Sequence, residues 1–526
     1  MTPLEIAVSP PVTGEVVPAV RGSMLRELVA VGSLVVLADL TLFRGYGYAG
    51  AALLLALAPV LLWMARPRPG GLAIAVMLWL LAARSIWLGS PLGMVFGVVL
   101  IVAFSMQQQG IRPYVPTGIL YAVHLTVAAF GSLRHYASAI RHNGPRLPRI
   151  AWLNFGLPLV ALVLFGGLFV LANPHLVTAL TTNVESWQAW LSSQLGQFQV
   201  DRLEVFFCLA MAWLAIGLVR PLLRPEEVIA GLTPIKPIAT SQPAPLYGAV
   251  RNTLLAVIGL FGVYLVFEFG TLWFRKFPAG FHYSGYAHQG AAWLTAALAL
   301  ATLVLSLLFR GDLLRDPRLP QLKRLAWIWS AQNLLLAATV YNRMHIYIDF
   351  NGMTRMRMIG LFGITSVVVG FGLVIWKIAK GRDFAWLVQR QLWTVTLAAF
   401  VFALTPVDAI VHGYNVRRIL AGDPAPAVQI SVHPMNAEGV LMLSPLVNAT
   451  DSTIREGICA MLAERAMAAE ELAERRGQEG WTSLQLADRA LLAELRATQE
   501  HWQPYLNAER RADALKHFHR YAYQWY

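Results

Sequence analysis

Residues 358–376 read MIGLFGITSVVVGFGLVIW, an uncharged run of 19 residues. At 1.5 Å per residue, a helix of this length extends about 28 Å, close to the ~30 Å hydrocarbon thickness of a bilayer. About twelve apolar stretches, most of them long enough to cross a bilayer, follow one another between Met24 and Leu404. The sequence therefore predicts an all-α fold, an integral membrane helical bundle of about twelve transmembrane helices, with a small helical C-terminal module.

The predicted spans differ in length. Several of the first five are short and joined by tight turns such as Gly89-Ser90-Pro91, so the span count depends most on this region. Read with a window of about 20 residues, the spans are 24–43, 47–65, 71–88, 91–107, 114–132, 150–172, 203–223, 253–274, 290–309, 324–343, 357–378 and 386–404.

Composition and charge agree with a membrane location. The chain is 57% hydrophobic and 13% charged, against about 25% charged in soluble domains. Residues 1–404 carry 30 Lys and Arg against 14 Asp and Glu, whereas residues 405–526 carry 12 against 15. A cationic excess in short loops suits anionic lipid headgroups. Nucleic-acid binding is not predicted, because no basic run with interleaved aromatic residues leaves the membrane region.

The basic residues also predict the orientation of the chain. Four alternate loops are rich in Lys and Arg, and such loops are retained on the cytoplasmic side. The C-terminal tail is then extracytoplasmic. With twelve spans the N-terminus is outside as well, unless one short early span is miscounted. The four cationic loops lie around residues 134–149, 220–251, 310–324 and 377–390.

Five segments are predicted along the chain. Gly231–Pro245 carries four prolines and is interpreted as a linker between two transmembrane halves. Asp451 is predicted to cap the first amphipathic helix of the tail, which has few apolar residues for a large core and is expected to lean on the membrane domain. The segments are a disordered N-terminus (1–23), an N-terminal transmembrane half (24–230), the linker (231–246), a C-terminal transmembrane half (247–404) and the helical tail (405–526).

Metal and cofactor chemistry is not predicted. The chain has two cysteines, Cys208 in a span and Cys459 in the tail, too few for a disulfide framework or a thiolate metal site. His345 and Asp349 are one helical turn apart and can act as two ligands, but no third ligand accompanies them. We therefore predict no cofactor, no metal site and no catalytic residue.

Residues 341–357 form the richest polar cluster near the membrane. An ionisable group at membrane depth costs about 2.5–3.5 kcal/mol on insertion scales, so it is a candidate functional residue. Asn351-Gly352 predicts a helix break and Thr354 a new helix cap. Arginine forks bind phosphate and carboxylate, so the cluster indicates an anion site, including one for a lipid headgroup. The alternative is interfacial anchoring by Tyr and Arg. The candidate ligand-binding residues are Arg343, Tyr347, Asp349, Thr354, Arg355 and Arg357.

A second polar patch precedes the predicted span 290–309. Its two histidines indicate either a pH-sensitive site or incidental members of an aromatic interfacial belt. Glu268 is interpreted as a structural ion pair or a ligand contact, whereas Glu27, Asp39 and Arg84 lie near span ends and are expected to pair or to reach the interface. The patch comprises His282, Tyr286 and His288, with Glu268 nearby.

The two polar stretches resemble a known family. The run Arg343-x-x-x-Tyr347-x-x-x-Asn351-Gly352-Met353-Thr354-x-x-Arg357 is similar to the Arg…Tyr…Tyr-Gly-Leu-Thr…Arg signature of the bacterial polytopic membrane family called domain of unknown function 4173, with its relative 4153. Asn351 and Met353 replace the usual Tyr and Leu. Tyr283–Gly290 is similar to the family's Tyr-rich segment, with His288 or Gln289 where an arginine is usual. Pro406-Val407-Asp408…Asn415-x-x-Arg418 resembles the start of that family's soluble tail. The resemblance covers about residues 247–420 and implies a multi-pass protein of the bacterial cytoplasmic (inner) membrane.

Two classes of function remain open. The leading interpretation is a non-enzymatic membrane protein that binds, moves or senses an anionic envelope ligand, or acts as a scaffold there. Its predicted partners are the lipid bilayer, anionic lipid headgroups and envelope proteins that bind the tail. The alternative is a membrane-embedded transferase acting on a lipid-linked substrate. A cavity that holds two or more of Glu268, Asp349, His345 and His288 would favour the transferase.

Overall fold

The computed structural model describes residues 18–67, 70–126, 201–220, 247–273, 283–309 and 316–525. Regular structure in these residues is helical, at 87%, and contains no strand. The predicted all-α fold is therefore confirmed for the described part of the chain.

The helices are numbered here in chain order, and two of them continue as a π-helical turn, α1 through Asp39–Phe43 and α7 through Phe269–Trp273. The membrane region contains α1 (Pro18–Ala38), α2 (Tyr48–Ala65), α3 (Leu72–Leu88), α4 (Pro91–Gln108), α5 (Val115–Thr126), α6 (Arg202–Val219), α7 (Tyr247–Glu268), α8 (Tyr283–Leu308), α9 (Leu319–Asn351), α10 (Arg355–Lys380) and α11 (Phe384–Leu404). The tail contains α12 (Val407–Leu420), α13 (Ala427–Val432), α14 (Ala437–Leu441), α15 (Ser452–Glu479), α16 (Leu486–Ala497), α17 (Gln499–Trp502) and α18 (Ala508–Ala522).

Six of the described helices are long and apolar enough to cross a membrane, namely α2, α4, α6, α7, α10 and α11. Apolar segments of α3, α5 and α8 are shorter. Helix α9 is 33 residues long, about 50 Å, so its polar ends extend beyond the hydrocarbon layer. The chain is a multi-pass membrane protein by these criteria. The predicted span 150–172 and the linker 231–246 lie outside the described residues.

The chain packs as two units. In the first, α1 and α6 are joined by ion pairs near both ends. Arg44 pairs with Glu204 near one end. Near the other end, the buried Glu27 pairs with both Arg66 and Arg220. Arg44 also pairs with Asp39 at 3.4 Å, as the sequence predicts. This unit comprises residues 1–44, 60–69 and 120–227.

The second unit comprises residues 45–59, 70–119 and 228–526. Its membrane part is centred on α9, which packs against α7, α8 and α10. Trp329 and Phe371 lie in the apolar core towards the N-terminal end of α9, while Val340 and Ile364 lie in a second cluster towards its C-terminal end. Because α9 is surrounded on several sides, its polar side chains must find partners inside the bundle.

The tail has its own apolar core, larger than the sequence predicts. Buried residues from Val416 to Ala522 form one cluster, in which Phe518 packs so closely that a Cβ on Gly457 would lie 2.2 Å from its ring. Asp451 caps α15 as predicted, accepting hydrogen bonds from the N–H groups of Thr453 and Ile454. The core is larger because α15 packs against both α16 and α18 and so buries alanines that look neutral in sequence.

Two turns of the membrane region contact the tail. The N–H of Tyr46, before α2, donates to Thr482 Oγ1 at 3.1 Å. The N–H of Gly89, between α3 and α4, donates to Gln485 Oε1 at 2.6 Å. A count of twelve spans places both turns on the side of the membrane opposite to the tail, so these two contacts do not fit that arrangement of the early helices. Most of the predicted spans 114–132 and 150–172 lie outside the described residues, and their number stays a prediction.

Candidate functional site: the junction of the tail with helices α9 and α10

A sharp break separates α9 from α10. Gly352 has φ +98°, and a Cβ there would lie 2.6 Å from Asn415 Oδ1 and 2.9 Å from Pro426 Cβ. Thr354 caps α10 by accepting a hydrogen bond from the N–H of Arg357 at 3.2 Å. The predicted break and cap are both confirmed. Glycine is needed at position 352 for its backbone conformation and for the close approach of the tail.

Two tail residues bind the backbone of this break. The buried Asn415 accepts from the N–H of Met353 at 2.7 Å and donates to its carbonyl at 2.9 Å. Arg418 donates to the carbonyls of Ile348 and Asp349 at 2.9 and 2.7 Å. The last carbonyls of a helix lack partners within the helix, so Arg418 satisfies the C-terminal end of α9.

Arg355 forms an ion pair with Asp408, the second residue of α12. Asp408 is buried and also accepts from the N–H of Asn436 at 2.8 Å. Burial raises the pKa of this carboxyl, but the hydrogen bonds from Arg355 and Asn436 outweigh that effect and hold its pKa below the ordinary value. Asp408 is therefore a stable carboxylate that joins three segments of the chain.

His412 lies beside Asp408, one turn along α12. Burial lowers its pKa to about 4 despite the favourable charge of Asp408. Its Nδ1 has no hydrogen-bond partner in the described part of the chain. The pKa of His433 is also lowered, by partial desolvation and by the positive charges of Arg357 and Arg355. Both imidazoles are therefore neutral near pH 7.

The structure brings Arg357 and Tyr347 together across the break. The Arg357 guanidinium lies 3.7 Å from the centre of the Tyr347 ring. It donates to Asn351 Oδ1 at 2.6 Å and to the carbonyl of Gly352. Asn351 Nδ2 in turn donates to the carbonyl of Trp525 at 3.1 Å, near the end of the tail. Arg357 therefore stabilises the break from within.

Arg343 and Glu268 form a buried pair between α9 and α7. Arg343 Nε and Nη2 donate to the two carboxylate oxygens of Glu268 at 2.7 and 2.5 Å. The Tyr264 hydroxyl accepts from Arg343 at 3.3 Å and donates to Glu268 at 2.9 Å. The two charged side chains are 2% and 0% exposed. Of the two interpretations of Glu268, the geometry is that of a structural ion pair.

Two further polar side chains of α9 pair with each other. Asp349 pairs with His345 at 3.4 Å, and both side chains are largely exposed. Within the described residues, no group of three or more His, Cys, Asp or Glu side chains is placed to hold a metal ion. Glu268 is enclosed by Arg343, so the structure does not bring it into one cavity with the exposed His345 and Asp349. His282, and the side chains of Tyr286 and His288, lie outside what the structure describes.

A second ion pair links the tail to α3. Arg84, predicted to reach the interface, donates to Glu438 at 2.5 and 2.9 Å. Glu438 is 2% exposed. The sequence did not indicate Glu438 and His412 as junction residues. The only signal for Asp408, Asn415 and Arg418 was the resemblance of residues 406–418 to the family. These three residues all bind the α9–α10 break, which lies within residues 343–357, the other stretch that resembles the family.

The tail also contains a cleft between α15 and α16, with a volume of about 520 Å³. Its floor includes Ala469 and Leu472, and its rim carries Arg465, Arg489 and the partly exposed pair of Arg476 with Asp488. Ser483 and Gln485, which contact the turns of the membrane region, line one end. The cleft therefore combines an apolar floor with a cationic rim next to the helix ends.

The fold and the junction define a class: a multi-span helical membrane protein whose helical tail is bound to the ends of its helices. The chain belongs to the family described as Domain of unknown function (DUF4153), whose family model matches residues 30–433. This is the relative 4153 of the sequence resemblance, and the match extends well beyond residues 247–420. No curated protein and no solved structure matches the chain.

Proposed function

We propose that this protein is a non-enzymatic sensor or scaffold of the bacterial inner membrane, which binds an anionic envelope ligand through its extracytoplasmic tail. The observation that carries the proposal is the junction. Asp408, Asn415 and Arg418 bind the α9–α10 break through side chains, so a change in the tail is passed directly to two membrane helices. A catalytic site for the alternative, a transferase, is not favoured by any arrangement of the described carboxylates and histidines.

The proposed orientation places the tail outside the cytoplasm, because loops rich in Lys and Arg are retained inside. The turns at Tyr46 and Gly89 contact the tail and are expected on its side of the membrane. These contacts support a cytoplasmic N-terminus and an odd number of spans, close to the predicted count of about twelve.

The arginines of residues 343–357 support a coupling role. Arg343 pairs with Glu268 and Arg355 with Asp408, while Arg357 binds the backbone of the break. Each guanidinium thus has an internal partner, and the charges are used to fix the geometry of the break. The ligand itself is expected on the tail, where cationic side chains line a cleft.

Hydrogen exchange tests this coupling. The full-length protein is placed in nanodiscs of phosphatidylglycerol or of phosphatidylcholine, and amide exchange is compared. We expect the anionic lipid to protect the tail and residues 348–357 together. In Asp408→Asn the protection of the tail should remain while that of the break is lost. Identical exchange in the two lipids throughout the tail would refute the proposal.

A further inference from the structure

The cleft of the tail, defined by α15, α16 and the segment 480–485, has features of a lipid site. We propose that it binds one anionic membrane lipid, with the phosphate at Arg465 and Arg489 and an acyl chain along the floor. This rests on the proposed function and names the chemical class of its ligand. The volume of about 520 Å³ lies in the range of small-molecule sites.

The two helices of the cleft carry apolar side chains. Ala468, Ala469 and Ala473 line it from α15, while Leu491 and Leu492 line it from α16, and we call these residues the floor. Their small alanine side chains leave space between the two helices, and the charged residues of the lining flank them in the sequence of each helix. Burying an apolar chain here is favourable by about 25 cal/mol per Å² of area removed from water. The floor therefore suits an acyl chain better than a compact polar ligand.

The rim carries more positive than negative charge. Arg476 is paired with Asp488, which neutralises both. Arg465 makes one long hydrogen bond, 3.4 Å to the carbonyl of Met435, and Arg489 is exposed with no ion pair to any residue that the structure describes. Two guanidiniums that line the cleft thus have no carboxylate partner among the described residues, and the planar fork of arginine is well suited to phosphate.

The position of the cleft favours a ligand from the membrane. Ser483 and Gln485 line it and also contact the turns at Gly47 and Gly89. Trp481, also in the lining, is 58% exposed, and tryptophan side chains prefer the membrane–water interface. A lipid can therefore reach the cleft by lateral diffusion from the adjacent membrane surface.

Native mass spectrometry of the full-length protein in detergent tests the site. The probe is phosphatidylglycerol, with phosphatidylcholine as the neutral comparison. We expect one tightly retained phosphatidylglycerol, and a loss of affinity of about tenfold or more in Arg465→Gln/Arg489→Gln. The matched control is Lys516→Gln/Arg520→Gln, which removes the same charge from exposed positions outside the cleft. Equal retention by the two double variants would overturn the proposal.

A second variant separates shape from charge. Ala473→Trp fills the floor with all arginines intact and should also reduce retention, whereas Ala512→Trp on the exposed face of α18 should not. Glycerol phosphate, which has no acyl chain, should not displace the bound lipid. If it does so at concentrations comparable to those of the lipid, the cleft is a site for a soluble phosphate and the lipid assignment is wrong.

A photo-crosslinker at Ala473 identifies the occupant in membranes. A lipid adduct supports the proposal, and a cross-link to another segment of this chain, to a second copy or to another protein overturns it. The failures of the two proposals are distinguishable. If the cleft variants still show lipid-dependent protection of the tail amides from hydrogen exchange, only the lipid site in the cleft is refuted. If the unmodified protein shows no such protection, the sensing function is refuted.

Discussion

The buried charge of Arg343 is matched by one carboxylate, that of Glu268. Arg343 lies at membrane depth on α9, where an unpaired guanidinium would be costly, and Glu268 neutralises it with two short hydrogen bonds. Replacing both partners with apolar residues is often tolerated, whereas removing one leaves a buried charge. The pair therefore specifies how α7 and α9 pack more than it adds to stability.

We expect Glu268→Gln to lower the free energy of unfolding by about 3–5 kcal/mol, because Arg343 would remain charged and buried without its partner. Thermal unfolding in detergent measures the effect. The control is Glu471→Gln, which breaks an exposed pair with Arg475 and should leave the melting temperature unchanged. An equal shift for the two variants would show that the buried pair has no special structural role.

His412 makes the junction sensitive to acid. Its pKa is about 4 in the folded protein and about 6.5 when exposed on unfolding. Between these values the unfolded state binds more protons, so the free energy of unfolding falls as the pH drops from 6.5 to 4, by up to about 3 kcal/mol. Above pH 6.5 this residue contributes no pH dependence.

Denaturant titrations at several pH values test this expectation. His412→Gln should remove most of the loss between pH 6.5 and pH 4, whereas His517→Gln, at an exposed position of α18, should keep it. Asp408 affects stability in a different pH range. Because its pKa is lowered in the folded protein, it stabilises the fold above pH 3.8, and this stabilisation is lost as the pH falls further. An unchanged pH profile in His412→Gln would contradict the assignment.

At the scale of elements, the α9–α10 break is formed by local sequence and held by the tail. Asn351-Gly352 ends one helix and Thr354 begins the next, which requires no distant contact. The angle between α9 and α10 is set by contacts with the tail, because Asn415 and Pro426 pack against Gly352. The tail and the two helices are therefore structurally interdependent.

Gly352→Ala should therefore destabilise the protein more than Gly381→Ala. Both positions have positive φ. Gly381 lies in the left-handed helical region, where another residue costs about 1–2 kcal/mol, whereas Gly352 (φ +98°, ψ −173°) lies in a region almost exclusive to glycine. Only at position 352 would the new Cβ also collide with Asn415 and Pro426, since nothing lies within 4 Å at position 381. Limited proteolysis should release the tail faster in Gly352→Ala. Equal proteolysis of the two variants would argue against a tight junction.

At the scale of the whole molecule, the tail end of the second unit gathers turns from distant parts of the sequence. The turns at Tyr46 and Gly89 contact the segment 482–485, and the break at residues 351–354 contacts α12. This arrangement fixes which helix ends share a side of the membrane. It reverses the sides that a count of twelve spans assigns to the early loops.

Thiol labelling from outside the cell distinguishes the two arrangements. We expect introduced cysteines at Tyr46 and Gln478 to react with an impermeant maleimide, and one at Gln109 to remain unlabelled. The native Cys459 is buried with a pKa raised to about 11 by burial, so it should give no background. Labelling at Gln109 together with Gln478, but not at Tyr46, would restore the twelve-span arrangement.

Local features of this protein can be read from short stretches of its sequence. Apolar length predicted membrane helices such as α10, and short-range capping chemistry predicted the break at Asn351-Gly352 and the start of α15 after Asp451. These features depend on neighbouring residues, so a linear pattern contains them. The apolar core of the tail is larger than its sequence predicts, because its alanines are buried only when α15, α16 and α18 pack together.

Which charges pair depends on how the helices pack. Arg343 pairs with Glu268, which is 75 residues away along the chain, Arg355 with Asp408 at 53 residues, and Arg84 with Glu438 at 354 residues. The sequence marked the arginines as anomalous at membrane depth but offered no carboxylate at helical spacing for Arg343 or Arg84. Partners across such separations are set by how helices pack, because a charge in a bilayer binds the nearest opposite charge in space, whatever its distance along the chain.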